Sequence, residues 1–438
     1  MKYANVTTAI PGPASQKILE QWKKYEADKT GYQAQIAVDQ ADGVVIRDAD
    51  GNTFLDWTSG VLVTNIGHCH PTLVKAVTEA AGRMMNVYEY ANPYRAQAAE
   101  DLVTAAPAHL DKCFFLSTGS EATDSAARIM RRATDRYEII SFYGGFHGRT
   151  LSTAAMGGLK KVKKGMGPLM SGVIRVPYPY CYRCPFHANP ECCGKLCLEF
   201  ADDVVQANSC GSIAGLIIEP YLGTAGFVFP PEGYLPALEQ WARERGILFT
   251  VDEVQASYGR TGTMWACEHE NLTPDLMTVG KGVGGGMSVS ALLMRGELVD
   301  QALGKGELGS TYGGNPVSCA AVSAVLKVFR EEKILEHVQE VAPIFAQRLP
   351  KLLECSPHVG DVRGRGLVWG IELVADRQSK EPAPELAKQL IDLCAEHGLL
   401  VGSVGMYGNV IRVAPPLVIQ ADQAHESIDI MEKCLRLL

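Results

Sequence analysis

The chain has 438 residues, 47% of them hydrophobic and 21% charged, and a formal charge of −8. That length allows two to three ordinary domains, or one large α/β domain with an appendage, with ample core for a globular protein. The acidic balance argues against a nucleic-acid surface, and no stretch approaches the ~20 apolar residues that a bilayer span needs.

The opening residues, MKYANVTTAIPGP, contain no apolar segment of the kind a secretory signal carries, so none is expected. Residues 13–29 read as an exposed helix. A hairpin signal follows: VVIRD, a turn around Asp50-Gly51, then TFLDW. The Asp-Gly pair supplies the positive φ that such a turn needs. From about residue 70 short apolar runs alternate with helical stretches. They are CFFLS (113–117), EIISF (138–142), LIIE (216–219), ILFTVD (247–252), LMTVG (276–280) and SALLM (290–294). Continuous apolar strands alternating with helices predict a mostly parallel sheet covered on both faces. After about residue 330 come a helix at AQRLPKLLE, short strands in VRGRGLVWGIEL and NVIRVAP, and a final helix. That texture is a smaller α+β domain, which the N-terminal hairpin is expected to join. The predicted division is 1–65 and 329–438 for the small domain, and 66–328 for the large one.

Some features carry plain readings. Lys160, Lys161, Lys163 and Lys164 sit in a Gly-rich stretch and read as a solvated loop. His68 and His70, around a helix-initiating proline, read as structural. Arg363-Gly-Arg lies between apolar residues and reads as a small-domain strand. Thirteen cysteines without a signal segment predict reduced thiols and a cytoplasmic location. Cys181, Cys184, Cys192, Cys193 and Cys197 fall close together, and a C-x2-C pair with two later thiolates has the ligand count of a zinc site. The plainer reading is a cysteine-rich surface loop, and no metal is assigned.

Open α/β sheets bind ligands beyond the carboxyl ends of their strands. Three predicted strand ends carry suitable residues. Ser117-Thr118-Gly119-Ser120-Glu121 follows CFFLS and opens a helix, so glycine, hydroxyls and free N–H groups come together as a phosphate cradle or as a simple cap. Asp252 ends ILFTV, and a carboxylate at a sheet edge needs a cation or donors, a pyridinium N–H among them. Lys281 ends LMTVG and precedes Gly-Val-Gly-Gly-Gly, where partial desolvation favours the neutral, nucleophilic amine. Each alone also fits a cap, a structural ion pair or a surface lysine. In this order they match the parts of a pyridoxal-phosphate site: phosphate anchor, acid for the ring nitrogen, Schiff-base lysine.

The chain resembles the class III (ω-type) aminotransferases, of fold type I among pyridoxal-phosphate enzymes, almost end to end. The matching segments include DADGNTFLDWTSG with NIGHCHP, STGSEAT, FHGRT, FTVDEVQASYGRTGTMWA, PDLMTVGKGVGGG, TYGGNP, VGDVRGRGL and IRVAPPL. The resemblance implies a large sheet domain with a smaller α+β domain built from both termini, and pyridoxal 5'-phosphate as cofactor. It implies Lys281 as the Schiff-base lysine and Asp252 as partner of the ring nitrogen. It places Gln255 near the ring's phenolic oxygen, Gly119 and Ser120 on the phosphate, and Phe146 on the ring face. His147 beside it falls near the cofactor edge. Glu219 would support the ring, and Arg412 would bind a substrate carboxylate as a bidentate fork. Thr311 would reach the phosphate of a neighbouring subunit, which implies a homodimer, or a tetramer built from it. The activity implied is transfer of an amino group from an amino acid or a 4-aminobutyrate-like ω-amino acid to a 2-oxo acid (pyruvate, glyoxylate or 2-oxoglutarate), with no nucleic acid and no membrane. One position departs from the pattern. In EPxQGxxG members a Glu occupies the position held here by Thr224, which leaves pyruvate- or glyoxylate-type acceptors open, and with them racemase/epimerase or dialkylglycine-decarboxylase chemistry.

Overall fold

The computed structural model describes residues 2–28, 31–189 and 191–438. The chain packs as two compact units. One comprises Thr72–Gly259 and Thr263–Glu331; the other comprises Met1–Pro71, Arg260–Gly262 and Glu332–Leu438.

The first unit is built on a seven-stranded sheet. Its order is Lys112–Leu116, Ser290–Met294, Leu276–Val279, Leu248–Asp252, Ile213–Ile218, Glu138–Phe142 and Val173–Val176. Only Ser290–Met294 runs against its neighbours; the other pairings are parallel. The strands Glu138–Phe142, Ile213–Ile218 and Ser290–Met294 are buried at every residue, which is why they read as unbroken apolar runs. The helix Gly119–Thr134 lays Ala126, Ile129 and Met130 on a core that includes Ile139, Ala214, Ile217, Leu276 and Leu292. Gly215 makes this close approach possible, because a Cβ there would enter the Met130 side chain.

The second unit holds two four-stranded sheets. Val38–Asp42, Val45–Asp48 and Thr53–Asp56 form an antiparallel meander that Leu399–Leu400 joins in parallel. Gly51 takes the expected left-handed turn at φ +87°. The other sheet runs Val359–Arg365, Val368–Leu373, Val410–Val413, Gly402–Val404, all antiparallel. The Arg363 guanidinium pairs there with Asp361 at 2.5 Å and Glu372 at 2.7 Å. His68 and His70 meet Asp56 at 2.9 Å and Glu332 at 3.1 Å, as structural histidines do.

Several boundaries differ from expectation. The first helix spans Pro13–Tyr25 and stops short of residue 28; Lys29 lies outside the described residues. The stretch AQRLPKLLE is not one helix. The α-helix Ile334–Arg348 ends within it and Leu349–Glu354 continues as a 3-10 turn, with Pro350 in its first turn, where a missing N–H does least harm. The lysine run is one helical turn, Lys160–Lys163, rather than a loop, and Lys163 Nζ donates to the Gly157 carbonyl at 3.1 Å. The strand Val173–Val176 was not anticipated. Its four residues include Arg175 and alternate in burial, so no apolar run marks it. No helix among the described residues is long and apolar enough to cross a membrane.

Candidate active site

Residues at or just beyond the carboxyl ends of five strands of the large sheet converge on one cavity of about 290 Å³. Its lining includes Gly119, Ser120, Phe146, His147, Arg149, Glu219, Thr224, Asp252, Gln255 and Lys281. Seven of the nine residues singled out from the sequence are therefore brought together. Thr311 is exposed on a loop of the same unit, and Arg412 belongs to the other unit.

The helix Gly119–Thr134 enters this cavity by its N-terminus. Thr118 caps it: its hydroxyl accepts from Glu121 N at 3.3 Å, and Glu121 Oε2 accepts from Ser117 N at 2.7 Å and Thr118 N at 3.0 Å. The box consumes the third first-turn donor. The N–H groups of Gly119 and Ser120 face no intrahelical acceptor and carry the positive end of the helix dipole. A Cβ on Gly148 would collide with the hydroxyls of Ser120 and Thr153, so the backbone after Phe146 lies tight against the first turn of this helix.

Asp252 is the last residue of its strand and is 4% exposed. Its Oδ1 accepts from Val254 N at 3.1 Å and from the Thr278 hydroxyl at 3.0 Å. Its Oδ2 meets His147 Nδ1 at 2.7 Å. A carboxylate can only accept, so Nδ1 carries a proton. Burial works against the charged imidazole, but the hydrogen bond and charge of Asp252, aided by Glu219, carry the His147 pKa above its ordinary value. His147 Nε2 is buried with no hydrogen-bond partner among the described residues.

Glu219 follows the strand Ile213–Ile218. Its Oε1 accepts from Phe146 N at 2.8 Å and its Oε2 from Gly223 N at 2.9 Å. Burial pushes it up to about 7 against the opposing charge of His147. Gln255 lies beside Gly223, where any Cβ would overlap its amide, and its Oε1 is buried without a partner among the described residues. Lys281 opens the 3-10 turn Lys281–Gly284 two residues beyond the strand Leu276–Val279, and its backbone is left-handed at φ +48°. Such a conformation in a non-glycine residue costs of order 1–3 kcal/mol and is held by its surroundings.

The family described as aminotransferase class III matches residues 27–435. The chain is a member of that family. A probable 4-aminobutyrate aminotransferase of Bacillus subtilis is 35% identical over 91% of this chain and 92% of that protein. An alanine/serine racemase of Pyrococcus horikoshii is 34% identical over 100% of this chain and 93% of that protein. An amine transaminase from an uncultivated Pseudomonas species, solved with pyridoxal phosphate bound, superposes with a TM-score of 0.88 at 26% identity over 94% of this chain and 98% of that one. This class III aminotransferase has the α/β architecture of fold type I, and pyridoxal phosphate is its cofactor.

The residues present fit that cofactor. Two buried polar atoms without partners, His147 Nε2 and Gln255 Oε1, border the cavity, and a helix N-terminus offers donors to a phosphate. Asp252 has three donors on four acceptor positions, so one remains for a ring N–H.

Two residues of the site, one behind its wall and one lining it, are not marked by the sequence patterns. Thr278 reaches Asp252 only through strand register, which no linear pattern records. Arg149, within FHGRT, lines the cavity without a role of its own from the sequence, although a strong cation three residues after Phe146 was the available signal. The cysteine cluster lines a separate cavity of about 210 Å³, bordered by Cys181, Cys184, Cys193 and Cys197. Among the described residues no three His, Cys, Asp or Glu side chains stand close enough to hold a metal ion.

Proposed function

We propose that this aminotransferase takes its amino group from an ω-amino acid of the 4-aminobutyrate kind and passes it to a 2-oxo acid such as pyruvate, glyoxylate or 2-oxoglutarate. The observation that carries the reading is a single cavity whose walls hold the Lys281 amine, the Asp252 carboxylate, a helix N-terminus and the Arg149 guanidinium. The first three suit the cofactor; the fourth is a cation suited to a substrate carboxylate.

When bound, pyridoxal phosphate supplies an electron sink beside the carbon that bears the amino group. In this reading Lys281 Nζ holds the cofactor covalently and, once released, moves a proton to and from that carbon. Asp252 would pair with the ring nitrogen and Gln255 would lie near the phenolic oxygen. Gly119 and Ser120 would hold the phosphate, and Phe146 would cover one ring face. Glu219 buttresses the Phe146 and Gly223 backbones around the ring. Arg412 takes the α-carboxylate of the amino-acid partner. The residue is 8% exposed, its Nε has no partner among the described residues, and burial lowers its pKa to about 10 against the pull of Asp56. A buried cation in that state gains from an incoming anion.

A homodimer with Thr311 of each subunit serving the neighbouring phosphate is part of the proposal. Its support is an exposed apolar patch: Met85 is 65%, Tyr90 79% and Tyr312 68% exposed, and Asn86 Nδ2 donates to the Thr311 carbonyl at 2.8 Å. A cytoplasmic location goes with it; Cys69, Cys113, Cys267, Cys319 and Cys355, among others, are thiols outside any disulfide.

The racemase relative favours a second reading, in which the proton returns to the other face of the same carbon and no acceptor is consumed. The experiment is a panel of amino donors against pyruvate, glyoxylate and 2-oxoglutarate, with chiral product analysis in the presence and absence of acceptor. Turnover that requires stoichiometric 2-oxo acid is expected. Loss of chirality without any acceptor would install the racemase reading instead. Lys281→Ala is expected to abolish either reaction, and retained turnover would defeat both.

A further inference from the structure

We propose that Thr278 is a positioning residue for Asp252: its hydroxyl settles which carboxylate oxygen is left open to the ring nitrogen of the cofactor. The proposal rests on reading the cavity as the pyridoxal-phosphate site. An ionised carboxylate has about four acceptor positions, two on each oxygen. On Oδ1 both are taken, by Val254 N at 3.1 Å and Thr278 Oγ1 at 3.0 Å. On Oδ2 one is taken, by His147 Nδ1 at 2.7 Å. The open position therefore lies on Oδ2, the oxygen that His147 already steers. Without the Thr278 donor, each oxygen would have one open position, and the carboxylate could present either edge.

Thr278 is built to hold its place. It pairs in parallel register with Asp252, it is fully buried, and its carbonyl accepts from Glu253 N at 2.9 Å. A β-branched side chain on a buried strand has little χ1 freedom, so the hydroxyl is aimed before any ligand arrives. The same strand leads to Lys281 three residues later. One strand thus carries the hydroxyl that orients the acid and leads to the lysine that lines the same cavity. Were the hydroxyl merely satisfying itself in a dry sheet, valine in its place would leave every property of the site unchanged.

The test compares Thr278→Val, which keeps the shape and removes the donor, with Thr278→Ser, which keeps the donor. In the apoprotein, the ring of His147 is titrated by nitrogen-15 NMR; Glu219 is the other titrating group facing that ring. With one donor fewer, the Asp252 carboxylate carries more negative charge, so His147 should hold its proton about half a pH unit higher in Thr278→Val. Affinity for pyridoxal phosphate, followed by absorbance on titrating the apoprotein, should fall about tenfold in Thr278→Val, the cost of a misaimed charged hydrogen bond. Thr278→Ser should match wild type in both. The proposal is overturned if Thr278→Val leaves both readouts unchanged, or if Thr278→Ser behaves like Thr278→Val. Should Thr278→Val fail to fold, Thr278→Ala against Thr278→Ser makes the same comparison. A wild-type protein that binds no pyridoxal phosphate sinks the reading of the cavity, while the His147 titration still decides whether Thr278 acts on Asp252.

Discussion

Asp252 and Glu253 are neighbours in sequence with different environments. Asp252 is met by three donors, whereas Glu253 is fully buried, with Oε1 on Cys267 N at 2.7 Å and no partner for Oε2 among the described residues. Burial pushes Glu253 up to about 7, opposed by the N–H groups of Cys267 and Ala266. The unfolded chain loses that proton near its ordinary value of 4.5, and the folded chain keeps it until about 7. Between those values the folded state binds more protons, so stability falls as pH rises through the window and levels off above it. Glu219 contributes in the same window and with the same sign. Urea unfolding of the apoprotein at a series of pH values should show this decline. Glu253→Gln should make it shallower, by an amount of order 1–3 kcal/mol across the window; an unchanged slope would remove Glu253 from the account. Arg149 belongs to the same scale. Arg149→Leu should lower kcat/KM for a carboxylate-bearing donor by about 10–100-fold, the worth of a charge-assisted pair, and change it by less than about threefold for a simple amine of similar length. Equal losses for both donors would show that the guanidinium does not read the carboxylate.

At the scale of elements, the helix Gly119–Thr134 is held at its entrance by the Thr118–Glu121 capping box. Thr118→Ala should cost about 1 kcal/mol of stability, as removal of an N-cap does. It should also weaken cofactor binding, because the first-turn donors would no longer be held in line. Thermal unfolding with and without pyridoxal phosphate separates the effects: the shift produced by the cofactor should shrink, beyond the drop of the apoprotein. Much of this element was legible. Ser117 to Glu121 after an apolar run marks a capped helix start, and Gly119-Ser120 marks a place where a ligand can approach the backbone. Asp252 and Lys281 were legible in the same way, as polar residues where apolar strands stop. The strand Val173–Val176 and the 3-10 turn Leu349–Glu354 were not. Their forms depend on a parallel neighbour, Glu138–Phe142, and on the chain path after a proline, and neither shows in local periodicity.

At the scale of the whole molecule, the exposed residues Met85, Tyr90 and Tyr312 form the surface expected to meet a second copy. Tyr90→Asp combined with Met85→Asp should shift sedimentation from a species of twice the chain mass towards the single chain, since buried unpaired charge is costly at an apolar interface. The doubly substituted protein should also lose pyridoxal phosphate more readily if Thr311 serves the neighbouring site. A variant that stays dimeric would place the interface elsewhere.

The sequence by itself determined the alternation of strand and helix, the acid and lysine at successive strand ends, the capped helix start at Thr118-Gly119-Ser120 and the family. Each of these is written in contiguous residues, because hydrophobic period, caps and breakers act over a few positions. Only the tertiary structure decided how Asp252 is held. His147 lies 105 residues before it and Thr278 lies 26 after it, and parallel register alone sets Thr278 beside it. The direction of a carboxylate depends on which donors surround it in space, and the order of residues along a chain does not specify that.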